Sequence, residues 1–322
     1  MMPPEADLPW RCVDCGSALG REPGHEQGQK QGQSAWSCPA CKRCYGVCRG
    51  IPVFMRADNS IFPPESYVDA GAVGIYTPTL ARRIAKLLPS PSINLAAARM
   101  LRAVAARVPA GGLILVIGSG VQRREIGAAI GNRARLVFVD VDISADVDAF
   151  ADAHDLPIAD ASFDAVLQTA VLEHVLYPEA VIAEMRRVLR SGGLVYSELP
   201  FMQQVHEGAY DFYRATLTGH RRWFNAFEEI EAGVLAGPAT TLLWALEHFF
   251  LAFSPRRLKP VTKAAVRLLF FWLKYLDYLL QRSSAMVDGA SGTYFFGRLG
   301  SSPTPDKLIL ARYSGSRSIT HT

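Results

Sequence analysis

The residues best suited to chemistry open the chain. Six cysteines lie between Cys12 and Cys48, and none occurs in the 274 residues that follow. Cys12 and Cys15 form one Cys-x-x-Cys turn, and Cys38 and Cys41 form a second after a spacer of 22 residues. Each turn offers two sulfurs to one ion, and two turns complete a tetrahedral thiolate site suited to Zn²⁺. The spacer is rich in Gly and Gln and has little to bury, so a piece of about 45 residues depends on its metal to fold. Cys44 and Cys48 are surplus to the paired spacing. Cysteines confined to one end argue for a metal-binding appendage and against a secreted disulfide framework.

A second group follows a short apolar run, Leu113–Ile117, which ends in Gly118-Ser119-Gly120. Glycines there let a ligand approach the backbone. An acid ending the next strand, about 20 residues on, can accept hydrogen bonds from ribose hydroxyls. Asp140 holds that place, with Asp142 as the alternative. The third glycine of the dinucleotide fingerprint is missing, because Gln122 or Arg123 stands near its position. No pyrophosphate cradle is indicated, which argues against a nicotinamide cofactor. Further on, His206, Asp211 and Arg214 follow the end of an apolar run. A histidine can act as general base near neutral pH, and an Asp–Arg pair can orient a polar substrate or close a loop.

These residues need a scaffold. Leu113–Ile117, Leu136–Val139, Phe163–Gln168 and Leu194–Leu199 read as buried parallel strands. Residues 122–131 and 179–190 read as the helices between them, and 78–88 and 93–108 as two earlier helices. Strands alternating with helices predict a doubly wound α/β sheet, whose ligands sit at the carboxyl ends of the strands. Gly292–Leu299 reads as a late strand.

Two resemblances sharpen this frame. Cys38-Pro-Ala-Cys41, Tyr45 and Gly50-Ile51-Pro52-Val53 resemble the zinc ribbons similar to the small partner protein of tRNA and translation-factor methyltransferases, over about residues 8–56. Arg49 replaces that family's usual acid. Asp152-Ala153-His154-Asp155-Leu156-Pro157, Asp160, Ser162-Phe163-Asp164 and Val166 look like the third motif of class I S-adenosylmethionine-dependent methyltransferases. Ala170–Val175 matches the next motif, and Glu184–Gly193 the helix and turn before strand five. This resemblance covers about residues 110–235. It implies a Rossmann-like, seven-stranded methyltransferase sheet with helices on both faces. It also implies S-adenosyl-L-methionine as cofactor. Gly118 and Gly120 would line its methionine part, Asp140 or Asp142 would take the ribose, and Asp152 with the Ala153 N–H would take the adenine. Gln168 would lie beside the amino acid end. His206, Asp211 and Arg214 fall where a subset of these enzymes places its acceptor side. Two positions depart from the family: Val116 replaces an acid, and Gln122 the third glycine.

The C-terminal third is apolar. Residues 234–253 are interrupted by Gly237-Pro238 and carry Glu247 and His248, so they do not read as a membrane span. Over 263–281, Lys263, Arg267, Lys274, Asp277 and Gln281 share a stripe roughly 80° wide at 100° per residue. The remainder of that helix is apolar, which predicts burial on several sides in a helical hairpin. A membrane-facing lid is the sharper alternative. Six basic residues between Arg256 and Lys274, with no acid among them, suit anionic headgroups.

The whole chain has 322 residues, 49% hydrophobic and 20% charged. That excludes a disordered or collagen-like chain, and a net charge of +4 is too small to imply nucleic acid by itself. The start has neither a basic segment nor a continuous apolar core, which predicts a cytoplasmic protein, with peripheral contact at the inner face of the membrane as the further expectation. The expected organisation is a zinc ribbon over 1–56, a linker and helices over 57–110, and a methyltransferase domain over 111–300. An apolar helical insertion falls at about 236–284 and a tail at 301–322. The leading function is methyl transfer to a small-molecule, glycan or lipid-like acceptor. An rRNA or tRNA methyltransferase docking RNA through the ribbon is one alternative. A non-catalytic scaffold with a degenerate fold is another.

Overall fold

A computed structural model describes residues 8–21, 34–68, 88–118 and 122–316. The expected helix at 78–88 lies almost wholly outside them, as does Gly120. The chain divides into two compact units.

The first unit comprises Met1–Thr77, Ala103–Thr169 and Tyr177–Val195. Four short strands open it: β1 (Gly20–Arg21), β2 (Ser34–Ser37), β3 (Cys44–Cys48) and β4 (Ile51–Phe54). They pair antiparallel in succession. Trp10, Trp36 and Tyr45 close around the Phe54 ring at centroid distances of 5.1, 5.7 and 5.3 Å. The remaining strands are β5 (Gly112–Ile117), β6 (Ala134–Asp140), β7 (Ala149–Ala151), β8 (Phe163–Thr169) and the first part of β9 (Leu189–Pro200). Their order is β4-β7-β6-β5-β8-β9, and the pairs from β4 to β8 are parallel. Continuous apolar runs form these strands because both faces are covered: Ile114, Leu115, Val116, Val166 and Leu167 are fully buried. Helices Arg123–Ile130 and Pro178–Val188 supply apolar stripes through Ile126, Ile130, Val181, Met185 and Val188.

Three observations amend the expected frame. The sheet is larger than the expected seven strands, because β4 joins β7 in parallel and adds the four ribbon strands β1–β4 to it. The strand β7 is a tripeptide too short to stand out from its loop. Helix Pro178–Val188 stops before Leu189, where β9 begins, two residues earlier than the periodicity implies.

The second unit comprises Pro78–Arg102, Ala170–Leu176 and Tyr196–Thr322. Here β9 continues, followed in order by β11 (Gly292–Leu299) and then β10 (Phe227–Ala236). The last two are antiparallel, Phe227 opposite Leu299. Between them in the chain run helices Pro238–Phe253 and Lys259–Phe270, a 3₁₀ segment Phe271–Leu276 and helix Asp277–Leu280. The single helix expected over 263–281 is thus broken. Its polar stripe turns inward except at Gln281, which is exposed. Arg267 and Lys263 reach the buried Glu247 at 2.6 and 3.4 Å, and Lys274 Nζ donates to the Ser90 carbonyl at 2.7 Å. Asp277 accepts hydrogen bonds from the backbone N–H groups of Gly237, Ala239 and Thr240 and from the Thr240 hydroxyl. The expected burial on several sides fails for much of the apolar remainder: Leu279 is 81% exposed, Leu269 66% and Trp272 51%. No helix among the described residues is long and apolar enough to cross a membrane.

Candidate functional site

The thiolate centre comes from two tight turns. The Sγ atoms of Cys12, Cys15, Cys38 and Cys41 all lie within 4.8 Å of one another. Cys12–Cys41 and Cys15–Cys38 are separated by 3.6 and 3.4 Å. Four sulfurs at 2.3 Å from one tetrahedral zinc stand about 3.8 Å apart, so the donor set fits that ion. The Tyr45 hydroxyl contacts Cys12 Sγ at 3.0 Å and accepts from the Val13 N–H, and Cys41 N–H points at Cys38 Sγ at 3.5 Å. Such contacts hold ligand sulfurs in place. Hydrogen bonds from the Ser17 backbone and hydroxyl draw the Cys15 thiol down to about 6, toward the thiolate that a metal needs. Cys44 is exposed and Cys48 buried; neither joins the four.

Three acids, Asp140, Asp142 and Asp152, gather at the carboxyl ends of β6 and β7. Gly118, at the end of β5, takes φ +67°, a conformation that favours glycine, and its N–H donates to Val139. Tyr67 packs against Phe150 with ring centroids 5.5 Å apart and planes tilted by 42°, and donates its hydroxyl to the Val141 carbonyl. Its hydroxyl is held above the ordinary range, first by burial and then by the charges of Asp140, Asp152 and Asp142. All three acids therefore lie near enough to act on one phenol. Asp140 accepts from the Asp142 N–H at 3.0 Å. Asp152 accepts from the His154 N–H and the Asn59 amide and lies 2.6 Å from the His154 ring. Burial opposes its charge, but these hydrogen bonds hold its carboxyl below the usual range. Asp142 is 3% exposed; Oδ1 accepts from Ser144, while Oδ2 is buried without a hydrogen-bond partner. That orphaned oxygen asks for a donor, and a ribose hydroxyl is one, so the residues fit an adenosyl cofactor. Ala153, which follows β7, and Gln168, opposite Ile117 of β5, are both buried. Val116 lies inside β5, and Gln122 accepts from the Thr169 hydroxyl at 3.3 Å.

The second unit contains a cavity of about 290 Å³. Asn94, Glu173, Glu198, Gln203 and His206 are among its lining residues. Glu198 accepts from the Tyr196 hydroxyl at 2.5 Å and the Asn94 amide at 3.3 Å, and burial raises its carboxyl. Glu173 is 1% exposed with neither oxygen hydrogen-bonded, and burial pushes its carboxyl up to about 8. His206 joins Asp211 and Arg214 in one loop. Asp211 accepts from the His206 N–H at 2.8 Å and is bound by both terminal nitrogens of Arg214. Burial works against its charge, yet the Arg214 guanidinium holds Asp211 well below the usual carboxylate range. Glu198 and Asn94 escape sequence reasoning, although an acid inside the apolar run Leu194–Leu199 is a signal that could have found one of them.

Residues 118–197 match the family model of a methyltransferase domain. A stretch of 66 residues is 41% identical to the ubiquinone/menaquinone biosynthesis C-methyltransferase of Neisseria gonorrhoeae, covering 20% of this chain and 27% of that protein. The chain thus spans about a quarter of the length of that curated relative. Among solved structures, a complex containing the Haloferax volcanii Trm112 methyltransferase activator matches at 16% identity, TM-score 0.39, over 62% of this chain and 88% of that one. Phosphoethanolamine N-methyltransferase 2 of Haemonchus contortus, in complex with S-adenosyl-L-methionine, matches at 17% identity, TM-score 0.41, over 62% and 52%.

Proposed function

We propose that the chain is an S-adenosylmethionine-dependent methyltransferase that carries its own zinc ribbon and acts on a small, lipid-like or glycan acceptor. The observation that supports the transferase reading is the convergence of Asp140, Asp142 and Asp152 on Tyr67, with one buried oxygen left for a ligand. Asp140 or Asp142 would hold the ribose and Asp152 the adenine amino group, with the Ala153 N–H toward the ring. Gly118 would let the methionine part pass close to the backbone. When bound, that cofactor supplies an electrophilic methyl group on a sulfonium. The acceptor belongs in the cavity lined by His206, where Asp211 and Arg214 are positioning residues for the histidine loop. Positioning and exclusion of water can supply much of such a rate. Calorimetry with S-adenosylmethionine and S-adenosylhomocysteine tests the reading. Micromolar binding is expected; none at millimolar cofactor identifies a degenerate scaffold.

The acceptor class rests on the inverted hairpin. Arg267, Lys274 and Asp277 face inward while Phe253, Leu269, Trp272 and Leu279 are exposed, the reverse of a helix pair made for water. Arg256, Arg257 and Lys259 add exposed positive charge along it. Such a surface suits an anionic lipid interface. Co-sedimentation with phosphatidylcholine vesicles, with and without phosphatidylglycerol, tests it: binding that requires the anionic lipid and weakens with salt supports it, and no binding removes the lipid-like class.

A further inference from the structure

A donor set gathers at the cavity, where Glu173 and His206 are lining residues. Glu173, His174 and His206 each offer a ligand atom, and the three atoms lie within 4.8 Å of one another. Glu173 and His174 are consecutive in the turn after β8, while His206 comes from the loop after β9.

Three observations mark this group as a built site. Glu173 is almost wholly buried, and neither carboxyl oxygen meets a hydrogen-bond donor. Buried polar groups are nearly always partnered, so an orphan of this kind points to an ion or ligand. His174 Nδ1 lies 2.7 Å from the Tyr210 carbonyl oxygen. A carbonyl only accepts, so Nδ1 carries the proton and Nε2, 3.6 Å from Glu173 Oε1, keeps its lone pair. This is how metal-ligating histidines are commonly oriented. His206 turns its Nδ1 edge to its own loop, with the Gln204 carbonyl at 3.2 Å, Arg214 at 3.4 Å and Asp211 at 3.5 Å. That leaves Nε2 as the edge open to a ligand. Nitrogen and oxygen ligands about 2.1 Å from a tetrahedral ion stand ~3.4 Å apart, close to the Glu173–His174 separation.

We propose that Glu173, His174 and His206 bind a divalent first-row transition-metal ion in the cavity wall, with open positions for a small ligand that chelates through oxygen. Two imidazoles with one carboxylate suit zinc, iron, cobalt or manganese and disfavour calcium and magnesium, which take oxygen ligands. Three protein ligands with an open position are the pattern of reactive rather than structural metal sites. His206 then serves as a ligand and not as a general base. Asp211 and Arg214 position it. The ion's binding does not depend on the transferase reading.

Full-length protein, with zinc in its cysteine site, is titrated with Co²⁺ and followed by calorimetry and visible absorption. One further equivalent is expected, with the weak d–d bands of nitrogen and oxygen ligands and no thiolate charge transfer. Glu173→Gln and His206→Gln each weaken that binding at least tenfold. Thermal melts check that both variants fold, and the unaltered protein decides the matter if they do not. A missing second equivalent overturns the proposal, as does uptake with thiolate charge transfer or uptake that both variants leave unchanged. Cofactor calorimetry fails or succeeds separately, so the two readings are distinguishable.

Discussion

Asp142 concentrates the argument at the scale of a single residue. Its Oδ2 is buried and unpartnered, an arrangement that costs free energy in the unliganded protein and is relieved by a donor. A hydrogen bond to a charged group contributes roughly 1.5–3 kcal/mol, so Asp142→Asn weakens S-adenosylhomocysteine binding about 10- to 100-fold by calorimetry. The same change leaves the unliganded protein as stable as before, or more so, in urea unfolding. A parallel loss of binding and stability would reassign Asp142 to the scaffold. His220 makes the opposite case, a titratable group that serves packing alone. It is fully buried between the Ser197 and Thr293 hydroxyls, at 2.7 and 3.0 Å. Burial drives its imidazole down to about 3 from an ordinary 6.5. Below 6.5 the unfolded chain takes a proton that the folded chain refuses. Stability is therefore intact above that pH and falls as pH drops, by about 1.4 kcal/mol per pH unit. Urea unfolding at a series of pH values shows this slope, and His220→Gln flattens it in that window. The sequence does not distinguish His220 from His206: both are lone histidines, and only the long-range partners Ser197 and Thr293 separate a core residue from a cavity residue.

Elements show where local pattern suffices and where it stops. Strands β5, β6 and β8 are legible because a glycine-bounded apolar run has few other folded states open to it. The polar stripe over 263–281 is legible too, but not its direction. A stripe normally faces water; this one faces Glu247 and the start of helix Pro238–Phe253, because buried charges there need partners. Asp277 is the clearest instance. It is wholly buried and satisfies three N–H groups at the first turn of helix Pro238–Phe253 from some 40 residues away. Helix N-termini carry unpaired donors that must be satisfied, and no Ser, Thr, Asp or Asn stands at the local cap, Gly237. Asp277→Ala strands those donors and is expected to cost about 2–4 kcal/mol, read as a lower urea midpoint with an unchanged slope. A cost below about 0.5 kcal/mol, the range of ordinary surface substitutions, would show that the hairpin is held by other contacts.

For the molecule as a whole, the ribbon is part of the sheet and not an appendage tied on by a linker. Val53 and Phe54 pair in parallel with Phe150 and Ala151, and the chain then lays Asn59 on Asp152, Arg56 on Asp155 and Tyr67 over Phe150. None of these pairings is visible in the sequence, because each joins residues about 80 to 100 positions apart and parallel pairing leaves no local signature. Their consequence is that the thiolate centre supports Asp140, Asp142 and Asp152 without touching them. A zinc ion on the four sulfurs would hold the turns, the turns hold β3 and β4, and β4 borders the strand whose end carries Asp152. A ribbon of this size has too small a core to persist without its metal. Chelation, or Cys38→Ser, is therefore expected to lower S-adenosylhomocysteine affinity by tenfold or more, while β5, β6 and β8 keep their structure by circular dichroism. Asn59→Ala, which removes one strut and leaves the zinc, lowers it by a smaller factor. If the metal-free protein binds the cofactor as tightly as the loaded one, β7 and Asp152 hold their places unaided, and the ribbon's strand pairing has no part in the site.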